Sequence, residues 1–577
     1  MAQADEKRRR AERVQDLFRL AEGAAGEKTK EILRDDDFYH GAQWEASDVA
    51  ALKAKGAPAL TFNMIKPKMR FLNGYLQTNR FDVTTFTASG GTDAVSTLYS
   101  KALKSQFASE GFEEEFTQMV PDAGARSVAW MYCLPDVHDD LSPRISFERI
   151  NPLRVFVDPR HESMTLRDAD RVHVVTLKTL GELRDEYDID KDDIASLISF
   201  SFGDEGRKYR LTDASYVEGD QTGYTEDATT GVLPYAGEYD ANAELRTIDT
   251  WYRENVEYWI LIDREGNTQT AFDPVKAEAM LSSGEAVDVI VREKSIVSQI
   301  VTVGNLILEE KRDPFHDDIF PLLRFAFSFD SGRCESLVQE MRDPQQWWNK
   351  LVSKFAHAVN AHPQMAVVYE DGSLTDPEEH LEIGSFPGVR VPYKFGRPPP
   401  TFASPMQPAI ALVQIIQTIQ ELFDTLSGIN VSMQGFAASS DESGKAAALR
   451  QSSGLTMIWE FLQNVRIFRH QLGKVMINYF REFYAPKDLF RITGDKNAME
   501  LPPLDLTHGE YKLVIDERPS GPTAEIIEFY ALAELATQGV MIPPQALIKR
   551  APIHDKEEIL QDFQEMMEAQ TKANQQG

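Results

Sequence analysis

Two apolar stripes at helical period, separated by a segment that no helix crosses, constrain this chain more than any other feature. Over Glu335–Ala361, Trp348, Val352, Phe355 and Val359 recur at steps of four, three and four. Over Met406–Leu426, Leu412, Ile415, Ile419, Leu422 and Leu426 keep the same rhythm. Such spacing puts each set on one side of a helix. The intervening His362–Pro405 carries Asp371-Gly372, Pro387-Gly388 and Pro398-Pro399-Pro400, with strand-like pieces at Met365–Tyr369 and Val389–Tyr393. The expectation is two helices with a small mixed knob between them. Taken alone, an ordinary helical hairpin with a decorated loop satisfies it.

The chain has 577 residues, beyond what one hydrophobic core serves, so several modules are expected. Apolar residues at 42% and charged residues at 26% fit a folded protein and not a disordered one. The net charge of −30 argues against a protein that coats nucleic acid through a broad basic surface. It is compatible with one that nucleic acid passes without sticking. Cys133 and Cys334 lie far apart and imply neither a disulfide framework nor a cysteine metal site, which suits synthesis in a reducing cytoplasm. The charged start from Met1 lacks the apolar run of a secretory signal, and no window has the ~18–20 apolar residues of a membrane span.

In chain order, residues 1–35 read as a solvated helical arm with a thin apolar face from Leu17, Leu20, Ile32 and Leu33. Asp35 to Trp44 reads as a helix stop followed by an aromatic anchor. Asn63 is placed as the N-cap of a helix bearing Met69, Leu72 and Leu76, and a strand follows through Phe86. Residues 92–126 look helical, Ser127–Leu134 and Ile145–Ile150 strand-like, and Leu177–Tyr187 a short helix. Residues 200–250 read as a polar surface excursion; strands are expected from Trp251, at Val287–Val291, at Ile296–Val303 and at Phe320–Phe325. The strongest periodic signal is Ile458, Phe461, Val465, Phe468, Leu472, Val475 and Tyr479, a helix of about 30 residues. An intramolecular core and a seam between subunits both satisfy it, the first more simply. Phe490–Thr493 and Leu513–Asp516 look strand-like, and helices are expected at Thr523–Thr537, Pro543–Arg550 and Lys556–Lys572.

The marks of enzymatic chemistry do not assemble. Gly444-Lys445 follows a small-residue stretch, but a phosphate loop needs glycine at 439, where serine stands, and Ser or Thr after the lysine, where alanine stands. There is no His-Glu-x-x-His and no Gly-x-Ser-x-Gly, and His357 and His362 lie five apart. No enzyme activity, cofactor or metal is expected. Lys350 and Lys354 share one helix face by their spacing; a solvent face paired with acidic neighbours is the plain alternative to contact with phosphate.

Several segments resemble a known family when taken in order. Phe38 to Trp44 (FYHGAQW) precedes Ala57 to Phe86 (APALTFNMIKPKMRFLNGYLQTNRFDVTTF). Then come Ile150 to Pro159, with Pro152 and Val155-Phe156 before Asp158-Pro159, and the run Asp168-Ala169-Asp170. A glycine-containing segment at Gly332 and the run Arg342-Asp343-Pro344-Gln345 follow before the first stripe. This succession resembles the portal, or head-to-tail connector, proteins of tailed bacteriophages, particularly short-tailed ones. In that family the N-terminal segments build a wing-like body and none of their residues is catalytic, while the glycine-containing segment and the Arg-Asp-Pro-Gln run introduce the first stem helix.

The resemblance implies an α+β, portal-like subunit. Its expected parts are an arm and α/β wing at 1–334, a first stem helix at 335–361, a small α/β clip at 362–405 and a second stem helix at 406–430. A channel-loop region at 431–452, a long helix with return to the wing at 453–522 and a short helical crown at 523–577 complete it. It further implies a ring of twelve copies at one capsid vertex of the virion, through which double-stranded DNA is packaged and ejected. The implied partners are the terminase large subunit, tail adaptor proteins, and capsid and scaffolding proteins, with no membrane. Candidate channel residues are Lys350, Lys354, Ser439, Ser440 and Lys445; candidate clip-interface residues are Tyr393, Phe395 and Arg397. The alternative is another virion assembly protein, a head–tail adaptor or scaffold with a coiled-coil interface, which the chain's length disfavours.

Overall fold

The computed structural model describes residues 2–78, 81–89, 93–137, 142–187, 189, 244–262, 268–271, 280–283, 288–361, 366–374, 392–399, 401–403, 406–429, 458–494 and 510–519, with residues 529, 532, 543, 547 and 548. It opens with helix α1 (Ala2–His40), α2 (Ala46–Ala54) and α3 (Ile65–Thr78), then strand β1 (Phe81–Ser89), α4 (Asp93–Phe107) and α5 (Glu110–Arg126). Strands β2 (Val128–Val137), β3 (Pro143–Ile150), β4 (Val155–Val157) and β5 (Arg171–Thr179) lead to α6 (Leu180–Glu186). Next come β6 (Glu244–Ile262), β7 (Thr268–Ala271), β8 (Asp288–Val303), β9 (Leu306–Lys311), β10 (Leu322–Ala326) and the hairpin of β11 (Ser328–Asp330) and β12 (Arg333–Glu335).

A first hairpin helix (Leu337–Ala361) follows, then β13 (Ala366–Val368), β14 (Thr401–Ala403) and a second hairpin helix (Met406–Ser427). A central helix (Trp459–Phe483), a short helix (Pro486–Thr493) and β15 (Glu510–Pro519) complete the described elements. The fold is α+β, and its strand pairs are antiparallel. One sheet runs β10-β2-β3, and a six-stranded sheet runs β4-β5-β6-β8-β9 with β7 on β6.

The central helix is where the chain's best pattern and its core coincide. Phe461, Val465, Phe468, Leu472, Val475, Met476, Tyr479 and Phe480 are all buried against α4, α5, β2 and β10. Each such side chain contributes about 1.5–3 kcal/mol over leaving it in water. The seam is thus intramolecular, and the helix spans 25 residues where about 30 were expected. A second apolar layer, with Trp130, Val172 and Trp251, joins the two sheets.

The first helix departs from its sequence reading. It is a docked arm and not a solvated one. Ala11, Gln15, Phe18 and Ala21 are buried, while Leu20 points to water. Phe18 packs edge-on to Phe156 and His173, and Arg246 reaches Glu22 at 2.6 Å. The contact uses small and polar residues, so an apolar count along the helix underestimates it.

Other differences have local causes. Residues 92–126 divide into two helices because the Ser109 hydroxyl accepts from Phe112 N and starts a new turn. Leu177 stays in β5; the next helix starts only after Thr179 and Glu182 form a capping box. Residues 244–250 belong to β6, not to an excursion, and residues 288–303 form one strand through the charged Arg292-Glu293-Lys294. Phe490–Thr493 closes a helix started by Pro486 and ended by Gly494 at φ +66. Leu513–Asp516 does lie in a strand, paired with β1. In the knob, Ala366–Val368 pairs with Thr401–Ala403, which the prolines had masked. The readings at 200–243, 263–267, 431–452 and Val389–Val391, the helix at 556–572, and all but residues 529, 532, 543, 547 and 548 of the two helices before it, lie outside the described residues.

Candidate functional site: the joint between body and hairpin

The recognised sequence segments converge where the first hairpin helix meets the body. Residues 60–64 lie extended along that helix, and their backbone N–H groups at every second position meet side chains at every fourth. Leu60 N donates to Ser353 Oγ at 3.0 Å, Phe62 N to Asn349 Oδ1 at 3.1 Å and Met64 N to Gln345 Oε1 at 2.9 Å. The match is geometric: four helical residues rise ~6 Å, and two extended residues span ~6.6 Å. The extended segment pairs with a column of helix side chains as it would with a neighbouring strand.

The same column reaches further. Gln345 Nε2 donates to Phe62 O at 2.8 Å, and Asn349 Nδ2 to Gln43 Oε1 at 2.7 Å. Gln43 Nε2 in turn donates to Phe38 O at 2.8 Å, at the end of α1. Asn63 caps α3 as its sequence position predicts, accepting from Ile65 N and Lys66 N, and its amide donates to Tyr39 O at 2.9 Å. Gln345, Asn349 and Ser353 are wholly buried. Unpaired, each polar group there would cost about 1–3 kcal/mol.

Ion pairs fix the two ends of the joint. Asp35, wholly buried, meets Arg342 at 3.1 Å and accepts from Ser336 Oγ at 2.7 Å. Burial raises its carboxyl above the usual range, against the pull of Ser336 and Arg342. Alongside, Arg126 bridges Asp36 and Asp122, and Arg149 meets Asp122 at 2.6 Å. Lys68, also buried, holds Asp424 of the second hairpin helix and the carbonyl of Ile429 just beyond it. Arg342 and Gln345 of the Arg-Asp-Pro-Gln run are therefore clamp residues. The run lies inside the helix, which already starts at Leu337.

The apolar stripes behave differently from a plain hairpin. On the second helix Phe423 is buried and Ile419 packs on the core, but Ile415 (48% exposed), Leu422 and Leu426 face outward. On the first, Trp348 packs on Phe423, whereas Trp347 and Val359 are open. The structure leaves apolar side chains of both helices free for another surface.

Of the candidate channel residues, Lys350 meets Asp48 of α2 at 2.7 Å. Lys354, one turn on, is exposed and makes no ion pair among the described residues. Ser439, Ser440 and Lys445 lie outside the described residues. In the knob, Tyr393 bridges Leu374 by its backbone and is half exposed; Phe395 is fully exposed; Arg397 meets Glu370 at 2.7 Å. Gly396, at φ +90, takes the turn after Phe395 that other residues resist. The amide column was missed by sequence reasoning. Its signal was polar amides at i and i+4 on a helix whose neighbours in that column should be apolar. Among the described residues no group of three His, Cys, Asp or Glu side chains is placed to hold a metal, and no helix is long and apolar enough to cross a membrane.

A body that clamps a hairpin rigidly while leaving its apolar flanks open is built as an assembly subunit. The chain belongs to the phage P22-like portal protein family, whose model matches residues 15–577. It is a phage portal protein, a virion component of the head–tail connector type. Membership implies a ring oligomer at the capsid's portal vertex. No curated protein matches the chain.

Proposed function

We propose that twelve copies of this chain form a ring at one capsid vertex through which double-stranded DNA enters during packaging and leaves at infection. In this reading the hairpin helices are stems, residues 362–405 a clip and residues 431–452 a channel loop. The chain itself performs no catalysis; an ATP-driven terminase supplies the work. The observation that carries the reading is the hairpin of a portal-family chain with its apolar flank turned outward at Ile415, Leu422 and Leu426. In a ring, the neighbouring copy removes that surface from water.

The net charge of −30 supports passage over binding, because an acidic wall repels the phosphate backbone. Lys354, with Ser439, Ser440 and Lys445, would then be local points of contact, and Lys350 a weaker one because Asp48 already neutralises it. Tyr393, Phe395 and Arg397 would present the clip to the terminase large subunit and later to tail adaptors; capsid and scaffolding proteins would meet the wing. Negative-stain images of the purified protein test the reading. Rings with a central hole are expected, and separate chains at every concentration and salt would contradict it.

A further inference from the structure

Gly23 and Gly26 stand in the interior of α1, where glycine weakens a helix more than any residue but proline. Nothing steric requires them there. Neither has a positive φ, and no atom of the described residues lies within 4 Å of where a Cβ would sit on either. Gly124 in α5 is the opposite case: the end of the Met69 side chain occupies the place of its Cβ. The weak stretch of α1 also coincides with a gap beneath it. A cleft of about 650 Å³ runs under the helix along Ala21, Ala24, Ala25, Lys28 and Ile32.

The two halves of α1 on either side of the glycines are held differently. After them, Asp35 is buried on Arg342 and Ser336, Asp36 meets Arg126 at 3.0 Å, and Phe38 enters the main core. Before them, the helix buries Ala11, Gln15, Phe18 and Ala21. Phe18 and Ala21 join Phe156, Val175 and Ile248 in a small cluster of their own. Gln15 Nε2 donates to Thr302 Oγ1 at 3.4 Å, and Arg10 pairs with Glu310 in the open. The sheet face under this half is partly polar, with His173, Thr250 and Thr302, so water meets it at less cost than it meets the core. Few apolar contacts and a weakened helix are the marks of a segment that opens on its own.

We propose that residues 2–22 are a detachable arm: they leave the sheet as one unit when α1 melts at Gly23–Gly26, while residues 27–40 stay clamped to the joint. The arm is ~30 Å long. Its departure bares Phe156, His173 and Thr302 to another surface. The proposal does not depend on ring formation. The opposite reading is that α1 is one rigid element whose first turns merely fray.

Hydrogen exchange of the full chain separates the two. Amides of residues 10–22 should share one rate, at least about tenfold faster than those of 30–40, with the step at the glycines. Gly23→Ala with Gly26→Ala should slow the arm about twentyfold, about fivefold for each restored helix position, and leave 30–40 unchanged. Phe18→Ala, which removes the arm's ring from Phe156 and His173, should speed the arm at least about tenfold, again without change at 30–40. Protection that rises smoothly from the first turn to residue 40 would overturn the proposal. So would an arm rate unchanged by the two alanines, or a Phe18→Ala chain in which 10–22 and 30–40 speed up together.

Discussion

Asn349 Nδ2 donates to Gln43 Oε1 across 2.7 Å, joining the first hairpin helix to the loop after α1, while Asn349 Oδ1 accepts from Phe62 N at 3.1 Å. One side chain thus holds three segments that are some 290 to 310 positions apart in sequence at its two contacts. Asn349→Ala leaves Gln43 Oε1 and Phe62 N without partners and should lower stability by about 2–3 kcal/mol. Ser353→Ala, which frees one N–H near the end of the column, should cost about 1 kcal/mol. Val359→Ala, at an exposed position, should stay within ~0.5 kcal/mol. Urea unfolding of the three variants checks the order.

The buried pair of Asp35 and Arg342 makes a sharper claim. Removing one partner strands a charge, so Asp35→Ala and Arg342→Ala should each cost about 3–5 kcal/mol. Replacing both with apolar residues of similar size, Asp35→Leu with Arg342→Met, should recover much of that loss. A double-mutant cycle with strictly additive losses would show that the contact does not clamp the helix.

His173 links acid to the seat of α1. It is wholly buried beside Phe18, with Nδ1 2.9 Å from Thr250 Oγ1, and its Nε2 has no partner among the described residues. Burial, helped by the Arg171 charge and opposed by Asp158, pushes its pKa down to about 3 from the usual 6.5. The folded value lies below the unfolded one. Between them the unfolded chain holds the extra proton, so stability falls as pH drops from 6.5 toward 3, by up to about 1.4 kcal/mol per pH unit. His173→Phe should remove about one proton from the pH dependence of unfolding between pH 6.5 and 4. Urea midpoints across that range measure it.

How far the sequence carried depended on who supplies the partner surface. The stripe from Phe461 to Tyr479 was legible because its partners lie in the same chain, so period and burial agree. The stripe through Ile415, Leu422 and Leu426 was equally legible as a pattern, but periodicity names a face and not what covers it. The docking of α1 was not legible, since Ala11, Gln15 and Ala21 touch the sheet through small or polar surface. The column of Gln345, Asn349 and Ser353 was hidden for a related reason: buried polar residues on a helix look like a solvent face until the extended segment they satisfy is seen. The motif order did point to the joint, because Gln43, Asn63 and Gln345 all lie in the segments that carried the resemblance.

Phe395 tests the clip. It is fully exposed, so Phe395→Ala should leave the melting temperature within about 1 °C, as for an ordinary surface change. If the knob docks the packaging motor, the same variant should lower the yield of DNA-filled heads severalfold. Full packaging by a folded Phe395→Ala protein would remove this residue from the interface.

The most direct measurement is the native mass of the purified chain beside that of an Ile415→Lys, Leu422→Lys variant. Both positions face outward, so the variant subunit should fold and melt as the parent does. The account predicts a parent particle of about 780 kDa, twelve chains of 65.1 kDa, and a variant that remains a single chain. A variant that assembles as well as the parent, or a parent that never exceeds one or two chains, would contradict it.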